Sequence, residues 1–140
     1  MKKINEKSIP RLISVQILFA YGEDENIEEL QDFIEEEYVK EEFEKQYETI
    51  DRNFVSSLLK GVIEKMTEID DTIKIAIAPK FKIENLEKII KTIFRLAVYE
   101  LKYTNIEKKI VVDDYVYLAS QFSTNEKSVN FVNAILDNVK

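Results

Sequence analysis

Three stretches decide the fold: FRLAVYEL at residues 94–101, VVDDYVYLASQF at 111–122 and FVNAILD at 131–137. In each, apolar side chains recur every three or four positions, the spacing that lines one face of an α-helix. The first belongs to a longer helical pattern over 83–103. There Leu86, Ile89, Ile90, Ile93, Phe94, Ala97, Val98 and Leu101 form an apolar arc wide enough to be buried on several sides. Arg95 and Glu100 interrupt that arc and need charged partners if they are buried. The second stretch predicts a helix over 111–121, with Val112, Tyr115, Val116, Ala119 and Phe122 inward. The third predicts one over 126–139, with Phe131, Val132, Ile135 and Leu136 inward.

Upstream, the same period predicts three more helices. One spans 8–21, with Ser8 as its N-cap, Pro10 in the first turn and Gly22 just beyond its end. A second spans 27–47 and is acidic. A third runs from 51 to 77 with Asp51 at its positive end. Gly61, inside the third, costs roughly 1 kcal/mol relative to Ala, and close contact with another helix accounts for it best. Pro79 marks the exit. The expectation is an all-α fold, one domain over residues 1–140, built of two packed helical subdomains with six to seven helices. A length of 140 residues fits one domain.

Composition narrows the chemistry. Two glycines and two prolines leave too few turns for a sheet protein. The chain has no Cys and no His, so disulfides, thiolate or imidazole metal sites, Cys nucleophiles and His bases are excluded. Two distant glycines cannot build a phosphate-cradling loop. No catalytic set, metal site or cofactor is expected. The apolar runs are too short for a signal or a membrane span, so the expected location is the cytoplasm.

The net charge of −7 argues against nucleic acid until its distribution is considered. Residues 23–48 hold thirteen acids and two lysines, a local −11, which leaves the remainder at +4. The first eleven residues carry Lys2, Lys3, Lys7 and Arg11 against Glu6. The average charge is therefore a poor guide to anion binding. The acidic stretch reads as a solvated outer face, with a docking surface for a basic partner as the sharper alternative. Asp113 and Asp114 could be paired acid–base carboxylates, but at a helix start they serve better as caps and dipole partners.

The motifs resemble the NusB family in order and spacing. RLISVQILFAYG at 11–22 is similar to the opening helix, with Arg11, Gln16 and Phe19 at its marked positions. LLKGVIEKMTEID at 58–70 is similar to a leucine–glycine–valine segment closed by Ile-Asp. Phe81 stands where the family often has Trp. IFRLAVYEL matches nearly residue for residue, IVVDDYVYLASQF has Asp113 and Asp114 where Asn-Glu is usual, and FVNAILD differs from FVNGVLD at Ala134 and Ile135. The resemblance implies a non-enzymatic protein that pairs with ribosomal protein NusE and binds boxA-like single-stranded RNA. That complex joins other Nus factors on RNA polymerase and suppresses premature termination.

It also implies site residues. For RNA these are Lys2, Lys3, Lys7 and Arg11 at the basic start, with Lys127 and Phe131 near the last helix. Ser8 and Ile9 occupy positions where further arginines are usual. The bland alternatives are a solubilising terminus for the lysines and a core role for Phe131. For NusE the candidates are Phe19, Glu84 and Glu87, with Ile90 replacing a usual acid. A homodimer hiding the RNA face, a protein–protein adaptor without RNA binding, and the NusB-like domain of some rRNA methyltransferases are the competing expectations. The third needs an α/β cofactor domain for which this chain has no room.

Overall fold

The computed structural model describes residues 6–22, 26–38, 51–123 and 125–140. Among these there are seven α-helices and no strand: α1 (Ser8–Ala20), α2 (Ile27–Tyr38), α3 (Arg52–Glu64), α4 (Met66–Ile77), α5 (Lys88–Tyr103), α6 (Lys108–Phe122) and α7 (Glu126–Asn138). A short 3₁₀ turn, Ile83–Asn85, leads into α5.

α5 is the central element. It packs against α1, α3, α4, α6 and α7, while α1 also packs on α2 and α3, and α6 on α7. Its width explains this placement. Ile93, Phe94, Leu96, Ala97 and Val98 are all buried, so it presents apolar atoms on both sides. Ile13, Val15 and Ile17 of α1, Val55, Leu59 and Val62 of α3, and Val132 and Leu136 of α7 complete one continuous core.

Three expectations shift. The helix predicted over 51–77 bends at Lys65, where φ −102° and ψ 17° leave the helical region. The bend follows Gly61 by one turn, and the backbone bonds continue across it, Lys65 N–H to Gly61 and Ile69 N–H to Lys65. A Cβ on Gly61 would lie 2.1 Å from the Tyr99 ring of α5, so the glycine does serve a close helix contact. Ser8 is not the N-cap of α1. Lys7 holds that position, and the Ser8 hydroxyl points inward. Gly22 has no positive φ, so the left-handed cap is not formed. The second half of the acidic helix lies outside the described residues.

Asp51 does cap α3, its Oδ1 accepting from the Phe54 N–H at 3.0 Å. Arg95 has the partner it needs: both its Nε and Nη2 donate to Asp70 at 2.9 Å.

Candidate nucleic-acid interface

The start of α1 faces two ways. On the inner side, Arg11 is fully buried. Its Nε and Nη2 donate to both oxygens of Glu100 on α5, at 2.8 and 2.7 Å, and its Nη1 donates to Asp114 on α6 at 2.8 Å. Ser8 Oγ donates to the other Asp114 oxygen at 2.8 Å, and Tyr115 OH donates to Glu100 at 2.5 Å. Burial alone would lower the Arg11 pKa. The hydrogen bonds and charge of Glu100, with Tyr115 and Asp114 behind them, more than offset this and hold it above its ordinary value. Burial, then the charge of Glu100, pushes the Tyr115 phenol well above its usual range.

Two corrections follow. Arg11 is no surface cation: with Glu100 and Asp114 taking its donors in a dry interior, no face remains for phosphate. Asp114 is not a helix-end carboxylate. α6 begins at Lys108, a turn earlier than the periodicity suggested, so Asp114 lies inside the helix and on its buried side. Asp113 is exposed. The signal that could have found this cluster was the polar interruption itself, since Glu100 needed a cation and Arg11 lay on a broadly apolar helix.

On the outer side, Lys7 Nζ lies 2.5 Å from Asp51 and 4.9 Å from the Phe54 ring centroid. Lys2 and Lys3 lie outside the described residues.

The second region is an open groove of about 300 Å³ between the segment entering α5 and the start of α7. Phe81 and Phe131 form one wall, their centroids 4.9 Å apart and edge-to-face. Phe131 also meets Phe94 in the core at 5.8 Å and is partly buried. Phe81 is 49% exposed, an aromatic face held out to solvent by the ring behind it. Lys127, one turn before Phe131 on α7, stands on the rim, with Glu87 and Ile90 of the α5 segment among the lining residues.

Of the candidate partner residues, Glu87 lines this groove. Phe19 is partly exposed at the end of α1, with Lys88 Nζ 4.7 Å from its ring centroid. Lys88 follows Glu87 directly, and Glu84 is exposed in the 3₁₀ turn whose Asn85 also lines the groove. Glu87, Lys127 and Phe131 thus line one groove at the start of α5, while Phe19 and Glu84 are not among its lining residues. Lys7 is not among the groove residues and sits instead at the α1–α3 junction. Among the described residues no helix is long and apolar enough to cross a membrane.

A family model described as the NusB family matches residues 8–140. The transcription antitermination protein NusB of Ligilactobacillus salivarius is 34% identical over 129 residues, covering 92% of this chain and 93% of that protein. The NusB of Clostridium botulinum strain Hall is 35% identical over 137 residues, with coverage of 90% and 93%. Among solved structures, NusB of T. maritima superposes with a TM-score of 0.75 at 26% identity, covering 99% of this chain and 92% of that one. A structure of antitermination factors NusB and NusE in complex with dsRNA gives a TM-score of 0.78 at 23% identity, with coverage of 98% and 97%. The latter bears on the fold alone.

Proposed function

The chain belongs to the NusB family, and from that premise we propose that it is a transcription antitermination factor. In this reading it binds boxA-type RNA together with ribosomal protein NusE, and the pair joins other Nus factors on RNA polymerase in the cytoplasm. It is a binding protein and catalyses nothing.

The observation that carries the reading is the groove at the start of α5. An aromatic pair, the exposed Phe81 and the partly buried Phe131, lines this groove together with Lys127. Single-stranded RNA needs such a pair of features: a flat face on which a base stacks and a cation for the adjoining phosphate. Lys7, with Lys2 and Lys3 before it in the sequence, supplies further charge for phosphate. Arg11 ties α1 to α5 and α6 and takes no part itself. Glu87, which lines the same groove, is with Phe19 and Glu84 the candidate contact for NusE.

The test is binding of a boxA-like RNA with and without NusE from the same organism, across a salt series. The expected result is salt-sensitive binding that tightens with NusE and weakens in Lys127→Ala and Phe131→Leu variants. Removing one phosphate-neutralising cation lowers the salt slope by about 0.7 for a single strand. Firm NusE binding with no RNA binding at any salt would replace this reading with a protein–protein adaptor. Light scattering on the same samples shows whether a dimer hides the RNA face.

A further inference from the structure

The ammonium of Lys7 is already engaged by a carboxylate. Its Nζ sits 2.5 Å from Asp51 Oδ2, and the two side chains are 31% and 41% exposed. The other Asp51 oxygen accepts the Phe54 N–H at 3.0 Å and caps α3. One carboxylate therefore has two separable jobs, one on each oxygen. The hydrogen bond from Lys7, and next that from Phe54, hold the Asp51 carboxyl below the usual carboxylate range, so it is charged at neutral pH.

We propose that Asp51 sets RNA affinity by competing with phosphate for Lys7. This inference rests on the RNA-binding reading above. A carboxylate oxygen and a phosphate oxygen offer the same ammonium the same kind of contact. Both partners reach solvent, so an incoming phosphate can displace Asp51 without opening the core. Bound RNA then releases the carboxylate, and the free energy of the internal pair is subtracted from the binding. The effect matters more in this chain than where arginines crowd the helix start, because Ser8 and Ile9 occupy the next positions and Arg11 is withdrawn into the interior.

The test is Asp51→Asn, which keeps an oxygen for the Phe54 N–H and removes the charge. Two labelled RNAs of equal length are used, a boxA-like sequence and oligouridylate. Binding is followed by anisotropy over a salt series for wild type, Asp51→Asn, Lys7→Ala and the double variant, each checked for an unchanged circular dichroism spectrum. Asp51→Asn should bind both RNAs roughly two- to fivefold more tightly at low salt, the size of an exposed ion pair expressed as affinity. The gain should vanish when Lys7 is also Ala. Unchanged or weaker binding by folded Asp51→Asn would overturn the competition and leave Asp51 a helix cap only. A gain that survives Lys7→Ala would also overturn it, since that is the general effect of one fewer negative charge. Equal wild-type binding of the two RNAs would count against boxA recognition and leave the Asp51 proposal intact. If no variant bound either RNA, both would fall.

Discussion

Lys7, the N-cap of α1, and Arg11, one turn later, are both cations and both paired with carboxylates, yet they belong to different parts of the protein's work. Arg11 lies in a dry junction of three helices, where Glu100 and Asp114 take its donors in charge-assisted hydrogen bonds. Lys7 lies at the surface beside the Asp51 carboxylate and the Phe54 ring. The same charge, moved by one turn, changes from a tie between helices to a group that an anion from solution can reach. What separates them is solvent. In a low-dielectric interior a pair is strong, and losing one member is costly. At the surface water screens the pair and replaces either partner.

The sharpest way to break this contrast is Arg11→Met. The side chain keeps much of its volume, but Glu100 and Asp114 are left buried with no cation between them. The expected loss is about 3–5 kcal/mol of folding stability by urea titration. Replacing the ionic set as a whole, with Glu100 and Asp114 also made apolar, should recover most of that loss, because no uncompensated charge remains. A single variant that lost under about 1 kcal/mol would mean that water reaches the junction and that the two regions differ less than their burial indicates.

This contrast also explains how far the sequence could be read. The helical class followed from apolar period and scarce turn residues, both local properties. The centrality of α5 was visible in the width of its arc, and the need of Arg95 and Glu100 for partners in their position within it. Gly61 pointed to close packing, which Tyr99 fulfils. The inward turn of Arg11 is not legible locally, because a basic residue near a helix start looks the same whether it turns in or out. Its fate depends on Glu100 and Asp114, which lie 89 and 103 positions away. Asp114 differs for a related reason: α6 starts at Lys108, one turn before its apolar period begins, so the carboxylate falls inside the helix. The joining of Phe81 to Phe131 and Lys127, far apart along the chain, left no local trace at all.

A smaller effect sharpens the interior side. Tyr115→Phe removes one donor to Glu100 and should cost about 1.5–3 kcal/mol, the range for a hydrogen bond to a charged group. It should also change the response to pH. The Tyr115 phenol is held well above its ordinary value of 10.0 when folded, while in the unfolded chain it ionises near that value. Its contribution is thus fully present below about pH 10 and is lost as pH rises from there through the folded pKa. Urea titrations between about pH 8 and 11 should show wild type losing stability faster than Tyr115→Phe. Parallel curves would mean that the phenol is solvated enough to ionise in place.

The smallest expected effect lies on the outer side. Lys7→Ala removes the pair with Asp51, whose side chain is 41% exposed, and leaves a carboxylate that water can solvate and that still caps α3. Folding stability should change by less than about 1 kcal/mol, and by less still at high salt. RNA affinity should fall and its salt slope should shrink by about 0.7. Stability and binding therefore respond in opposite proportion at the two cations, Arg11 through the fold and Lys7 through the ligand. A Lys7→Ala loss of about 3 kcal/mol would place Lys7 with the interior set. The division of α1 into an anchoring side and a binding side would then have to be abandoned.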